Sequence, residues 1–185
     1  MIQIYICEDE KIQLEFWKRT IEEYIKSANI MAEIVSARQN PQDILNDIEQ
    51  CDNSQRLFFI DIQMPEYDMN GLELARKLRE KNSDDYLVFI TAKDDLAYKV
   101  FEYQLDVLDY IVKKPKYYLE NADTVPVTER LNRIFYKISQ NQNETEKKKR
   151  EEIKGKRKGI VSIAIILSKP QVRDANFIWD LGKLN

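Results

Sequence analysis

Short apolar runs alternate with helical patterns along residues 1–140, and this alternation limits the fold more than any other feature. The first run, IQIYIC, precedes a segment whose apolar residues are three and four positions apart, which is typical of a helix with one buried face. The same succession recurs, with later strand candidates AEIVSA, LFFI, YLVFIT and VLDYIV. Five strand and helix pairs predict a doubly wound α/β fold with a parallel sheet, whose ligands bind at the carboxyl ends of the strands.

The intervening segments carry helix signals. In NPQDILNDI, Asn40 is a predicted N-cap and Pro41 the first helical residue. The remaining helix candidates are GLELARKLRE, DDLAYKVFEY and TERLNRIFYKIS.

Carboxylates follow the first and third strand candidates. Glu8 and Asp9 come directly after the first run, and LFFI leads straight into Asp61. The first and third strands are neighbours in this type of sheet, so we expect the three acids to lie together. Like charges in one pocket do not all ionise readily, and a hard cation relieves the repulsion. The pattern therefore predicts a Mg²⁺ site, since Mg²⁺ suits two or three carboxylates plus water.

Two other strand ends add a hydroxyl and an ammonium. Thr91 closes YLVFIT, and Lys113 follows DYIV. Both groups would contact the outer oxygens of a transferred phosphoryl group, which suggests that Asp61 is a nucleophile that forms an acyl phosphate. The chain has no histidine. The commonest general base is therefore absent, and any chemistry rests on carboxylates, Lys, Thr and a cation.

Four motifs in order, ICEDE, FIDIQMP followed by NGLELA, FITA and DYIVK, together resemble the receiver domain of bacterial two-component response regulators. Within that family they are most similar to the AgrA-like, LytTR-type regulators of Gram-positive quorum sensing. The resemblance covers residues 1–140 and implies a flavodoxin-like sheet of order 2-1-3-4-5. It also implies a sensor histidine kinase as phosphoryl donor, a phosphorylation-dependent homodimer and control of transcription.

The resemblance further implies a role for each matching residue. Asp61 is the expected phospho-acceptor. The expected Mg²⁺ ligands are Glu8, Asp9, Asp61 and the backbone carbonyl of Gln63. Thr91 is the expected switch hydroxyl, and Tyr110 the aromatic whose rotamer reports phosphorylation. Lys113 is the expected phosphoryl-contacting lysine, with Lys114, which precedes Pro115, as the alternative.

Competing enzyme classes fit poorly. Phosphatases of the haloacid dehalogenase type need a second acid two residues after the nucleophile, and here that residue is Gln63. A nucleotide-binding or flavin-binding module needs a glycine-rich or Ser/Thr-rich loop after the first strand, whereas CEDEKIQ is acidic and lacks glycine. We therefore expect no enzymatic turnover of an external substrate.

The composition changes after residue 140. Residues 141–159, NQNETEKKKREEIKGKRKG, are predicted to be a charged linker. Residues 160–185 contain one strand candidate, Ile160 to Leu167, and are interpreted as a truncated or atypical remnant of an output domain. LytTR domains are longer all-β modules that bind DNA. Two functions therefore stay open: a transcription factor, or a receiver without a working output that acts by protein contact or sequestration.

Bulk properties predict a cytoplasmic protein that does not associate with membranes. The net charge is -3, the chain starts without a basic and apolar signal, and no apolar run approaches the roughly 18 residues of a membrane span. Cys7 and Cys51 are predicted to be free thiols, because neither their number nor their spacing suggests a disulfide framework.

Overall fold

A parallel five-stranded sheet forms the centre of the protein. The computed structural model describes residues 1–49, 55–92, 103, 105–114 and 125–168, apart from the side chains of residues 125–126 and 155–168. The strands pair in the order β2-β1-β3-β4-β5, all in parallel, which confirms the predicted fold and strand order. Their bounds are β1 (Ile2–Cys7), β2 (Ala32–Arg38), β3 (Gln55–Asp61), β4 (Tyr86–Thr91) and β5 (Asp109–Val112).

The described helices are α1 (Lys11–Ser27), α2 (Pro41–Ile48), α3 (Gly71–Lys81) and a long helix (Val125–Ser168). The predicted cap of α2 is confirmed, since the Asn40 side chain accepts a hydrogen bond from the backbone N–H of Gln42 at 2.9 Å. The predicted helix DDLAYKVFEY lies outside the described residues, except for Tyr103, and so does Cys51.

The two faces of the sheet support separate apolar clusters. Side chains alternate along β3, so that Leu57 and Phe59 belong to one cluster and Phe58 and Ile60 to the other. The first cluster also includes α1 and the start of the long helix, and the second includes α2 and α3. Every residue of β3 from Leu57 onward is buried, which explains why this strand reads as a continuous apolar run.

The prediction of a strand at Ile160–Leu167 is wrong. The backbone is helical from Val125 to Ser168, and this helix also includes the predicted linker 141–159. The apolar run fits a strand or a buried helix segment equally well by periodicity. A lone strand leaves its backbone N–H and C=O groups unpaired, whereas a helix pairs them internally. The Lys-rich and Glu-rich sequence before the run also favours a helix.

The chain divides into two compact units, Met1–Ser139 and Gln140–Asn185. In the second unit, residues 141–154 are almost entirely exposed. None of the described helices combines the length and the apolar character that a membrane crossing requires.

Candidate functional site

The three predicted acids come together at the carboxyl ends of β1 and β3. Cys7 pairs with Ile60, so the register brings Glu8 beside Asp61. Glu8, Asp9 and Asp61 each have a carboxylate oxygen within 4.8 Å of the other two. Glu8 is 1% exposed and Asp61 5%, whereas Asp9 is half-buried.

Lys113 supplies the positive charge at this site. Its backbone N–H donates to the carbonyl of Thr91 at 2.7 Å, which extends the pairing of β5 with β4 by one residue. Its Nζ lies 2.6 Å from Asp61 Oδ2 and 2.6 Å from Glu8 Oε2. Lys113 is buried, whereas the side chain of Lys114 is exposed. Of the two lysines left open by the sequence, Lys113 is the one that contacts the acids.

Burial determines the electrostatics of the acids. Removal from water raises the pKa of Asp61 and Asp9 above its ordinary value, although Lys113 opposes the shift in both. Burial raises the pKa of Glu8 from 4.5 to about 8, against the opposing effect of Lys113. Among the described residues, neither oxygen of Glu8 is in a hydrogen bond of ordinary geometry, even though Lys113 lies close to Oε2.

These features fit a hard divalent cation. Mg²⁺ prefers carboxylate oxygens, and this site offers oxygens from three carboxylates. Lys113 Nζ lies near Glu8 Oε2, but Glu8 Oε1 has no hydrogen-bond partner among the described residues, and buried polar atoms in native proteins usually have one. A cation would provide one.

The start of α3 packs closely against the backbone of Asp61 and Ile62. Gly71 donates its N–H to the carbonyl of Ile62 at 3.1 Å. A Cβ at Gly71 would lie 1.9 Å from the carbonyl oxygen of Asp61, so only glycine allows this approach. Asn70 and Glu73 form a capping box that fixes where α3 begins. The sequence motif included Gly71 without a reason for it, and the Asn-x-x-Glu spacing is the signal that would have located this helix start.

Thr91 and Tyr110 differ in their relation to the acids. Thr91 is fully buried and follows Ile90, the residue of β4 that pairs with Asp61. It therefore lies at the same edge of the sheet as the acids. Tyr110 is half-buried on β5 and packs against the apolar cluster that contains Phe89, three residues before Lys113.

A cleft of about 560 Å³ opens above Asp61. The start of α1 forms one side of it, and the loop between β3 and α3 forms the other. Gln63, Tyr67 and Asp68 line the loop side, and Lys113 also contributes to the lining. Asp61 is thus accessible to a small group through this cleft, although its side chain is largely buried. Sequence reasoning missed Tyr67, since nothing in its spacing distinguishes it from other loop residues.

One further contact was not visible in the sequence. The side-chain amide of Gln39, in the segment between β2 and α2, donates a hydrogen bond to the backbone carbonyl of Asp9. The two residues are 30 positions apart, so no local pattern predicts the contact.

The response regulator receiver domain family matches residues 4–118. The chain belongs to this family. The resemblance noted in the sequence is therefore confirmed, and the protein is a response regulator of the two-component type. Members of this family are signalling proteins.

Two curated relatives are similar to this chain over part of its length. The response regulator is 31% identical to Accessory gene regulator protein A of Staphylococcus epidermidis over 112 residues. These residues are 60% of this chain and 46% of the relative. It is 32% identical over 114 residues to the protein of that name from Staphylococcus aureus, with the same coverage. The chain spans just under half the length of these relatives.

Solved structures show the same fold. The response regulator TrrA of Thermotoga maritima, in complex with Mg²⁺-BeF, matches with a TM-score of 0.53 and 24% identity, over 72% of this chain and 99% of that one. The response regulatory domain of mrkE from Klebsiella pneumoniae matches with a TM-score of 0.57 and 22% identity, over 75% and 98%. These likenesses show the receiver fold, in agreement with the family match over residues 4–118.

Proposed function

We propose that Asp61 accepts a phosphoryl group from a phosphohistidine of a sensor histidine kinase, and that the resulting change of conformation controls transcription in quorum-sensing-type signalling. The observation that carries this proposal is the set of contacts around Asp61, where one buried lysine and two further acids surround a carboxylate at the base of a cleft. Similarity to accessory gene regulator proteins supports the signalling context.

The transfer uses few protein groups. A carboxylate oxygen of Asp61 forms a bond to phosphorus, the phosphorus–nitrogen bond of the donor breaks, and its electron pair stays on the histidine nitrogen. Lys113 would balance negative charge on the outer phosphoryl oxygens, since its Nζ already lies 2.6 Å from Asp61. Thr91 would donate its hydroxyl hydrogen to one of these oxygens.

A divalent cation completes this proposal. Glu8, Asp9, Asp61 and the backbone carbonyl of Gln63 would hold Mg²⁺. When bound, Mg²⁺ supplies positive charge that offsets the negative charge of the phosphoryl oxygens. The buried Oε1 of Glu8, which has no hydrogen-bond partner among the described residues, supports this ligand set.

The conformational change that follows phosphorylation would involve Thr91 and Tyr110. Phosphorylation would draw Thr91 toward the phosphoryl group and let Tyr110 turn inward, which favours a homodimer or binding of another partner. Both conformations exist beforehand, and phosphorylation shifts their populations.

The test is labelling by acetyl phosphate in the presence of Mg²⁺, followed by mass spectrometry of the intact protein. We expect one phosphoryl group on the wild type, none on Asp61→Asn and full labelling of Asp68→Asn. Asp68 is the matched control, because it is an exposed acid that lines the same cleft. Hydroxylamine-sensitive labelling that persists in Asp61→Asn would show that another carboxylate is the acceptor.

A second function is favoured by the long helix. Residues 140–168 form part of this helix, and the described side chains up to Lys154 are almost all exposed and mostly charged or polar. A LytTR output module consists of strands, and within residues 140–168 the backbone has none. The alternative is a receiver that acts by protein contact or sequestration, without sequence-specific DNA binding.

A competition titration at physiological salt separates the two functions. The phosphorylated chain is titrated with promoter duplex from its host against scrambled duplex. Salt-sensitive phosphate contacts from lysine and arginine do not distinguish the two duplexes. Equal affinities therefore support protein contact, and a preference of about a hundredfold or more for the promoter supports the transcription factor.

A further inference from the structure

The turn that carries Glu8 and Asp9 has little local support. It connects β1 to α1, and Glu10, the residue before α1, makes no side-chain cap hydrogen bond. The first turn of α1 contains no acidic residue either. Helix starts usually rely on such side chains to satisfy and fix their first N–H groups. The position of Asp9 therefore depends on contacts from outside the turn.

Gln39 provides such a contact. Its side-chain Nε2 donates a hydrogen bond to the backbone carbonyl oxygen of Asp9, and its side chain is half-buried. The backbone on both sides of Gln39 is itself fixed. The carbonyl of Arg38 accepts a hydrogen bond from the N–H of Glu8 at 3.1 Å, and Asn40 caps α2. Gln39 therefore extends from a rigid segment to the turn.

We infer that Gln39 is a positioning residue for the divalent-cation site, because it fixes the peptide group of Asp9 and thereby the direction of the Asp9 carboxylate. This inference rests on the proposed function, in which Asp9 is a cation ligand. Groups that orient metal ligands without touching the metal typically change metal affinity by about 10-fold to 100-fold. Gln39 would be such a group.

A purely structural role is the competing explanation. A hydrogen bond between a loop and the start of α1 could stabilise the fold without affecting the cation. The two explanations differ in what they change: a positioning role alters the affinity for Mg²⁺ and leaves the rate at saturating Mg²⁺ intact, whereas a structural role alters only thermal stability.

The experiment titrates Mg²⁺ alone into the full chain by isothermal calorimetry and then measures labelling by acetyl phosphate across Mg²⁺ concentrations. Gln39→Met keeps the length of the side chain and removes the donor. Gln42→Met is the matched control, since Gln42 is exposed on α2 and its side-chain amide donates a hydrogen bond to Asn46 on the same helix. We expect the Mg²⁺ dissociation constant to rise about 10-fold in Gln39→Met and to stay unchanged in Gln42→Met. The labelling rate of Gln39→Met should reach the wild-type value at saturating Mg²⁺.

A second variant, Gln39→Glu, separates positioning from charge. Its carboxylate cannot donate to Asp9 but adds a negative charge near the site. Positioning predicts weaker Mg²⁺ binding than in the wild type, whereas simple electrostatic attraction predicts tighter binding. This variant also serves if Gln39→Met does not fold.

The outcomes distinguish the inference from the proposal on which it rests. Wild-type Mg²⁺ affinity in both Gln39 variants, or a labelling defect in Gln39→Met that saturating Mg²⁺ does not restore, overturns the inference while the proposed function stands. Absence of Mg²⁺ binding and labelling in the wild type itself overturns both.

Discussion

Lys113 contacts two carboxyl groups at once in a place where water has little access. Its Nζ lies 2.6 Å from oxygens of both Asp61 and Glu8, and all three side chains are at most 6% exposed. Removing one partner of a buried charge network leaves the others uncompensated. Lys114, one residue further on, is exposed and serves as an internal comparison.

We predict that Lys113→Met lowers the free energy of unfolding by about 3 kcal/mol in the absence of divalent cations. Lys114→Met should change it by less than about 0.5 kcal/mol, as is usual for surface positions. Urea unfolding in the presence of a chelator measures both. Equal stability of the two variants would mean that the buried ion pairs contribute nothing.

The raised pKa of Glu8 predicts a pH dependence in the cation-free protein. Because the pKa is higher in the folded state, about 8, than the ordinary 4.5, the folded state binds the proton more tightly. The contribution of the Glu8 carboxyl to the free energy of unfolding is therefore fully present below pH 4.5 and is lost as the pH rises toward 8. We predict that, as the pH rises from 5 to 8, the free energy of unfolding of Glu8→Gln increases relative to that of the wild type. Thermal melts across this range, with a chelator present, test the direction.

At the level of single residues, the sequence predicted the groups that strand ends bring together. Glu8, Asp9 and Asp61 were predictable because parallel strands end at a common edge. The contacts of Gln39 with Asp9 and of Gly71 with Asp61 were not, because they depend on distances in space that the spacing of apolar residues does not contain.

Helix α3 acts on the site through its first residue. Gly71 touches the carbonyl of Asp61 so closely that a Cβ would lie 1.9 Å from the oxygen. A side chain there forces either α3 or the end of β3 to move. The capping box of Asn70 and Glu73 fixes the helix start independently of this contact.

We predict that Gly71→Ala slows labelling of Asp61 by about tenfold or more per folded molecule, on the scale of an ångström displacement at a reacting group. Asn70→Ala should cost about 1 kcal/mol of stability through loss of the cap but leave the labelling rate of the folded fraction unchanged. Acetyl phosphate labelling, corrected by circular dichroism for the folded fraction, compares them. A normal rate in Gly71→Ala would show that α3 does not control Asp61.

Secondary structure was predictable where the spacing of the apolar residues and the neighbouring sequence indicated the same element. The five strands and α2 with its Asn40 cap follow from apolar patterns and capping residues. The run Ile160–Leu167 was mispredicted, because its β-branched residues favour a strand while the absence of a neighbouring strand in the described chain favours a helix.

At the scale of the whole molecule, the chain divides into two compact units after Ser139. Among the side chains that the structure describes, the buried members of both apolar clusters come from positions 2 to 138, and those of residues 141–154 are almost all exposed. The first unit therefore contains its own core.

We predict that a chain ending at Ser139 folds and is labelled at Asp61 like the full protein. Its melting temperature should stay within about 4 °C, the shift expected from a change of up to about 1 kcal/mol in a domain of this size. Calorimetry and acetyl phosphate labelling of the two lengths provide the comparison. A cooperative loss of structure on truncation would mean that residues beyond Ser139 complete the core.

The strand order β2-β1-β3-β4-β5 also has a consequence for how the site assembles as the chain folds. The three acids lie at the ends of the neighbouring strands β1 and β3, whereas Lys113 follows the edge strand β5 and is 52 positions from Asp61 in sequence. Closing so long a connection takes time, and until β5 docks the ends of β1 and β3 carry clustered negative charge without their lysine. Repulsion at these ends opposes early pairing of the two strands. A divalent cation present during refolding would substitute for the late-arriving lysine, so it should speed the step in which the sheet forms.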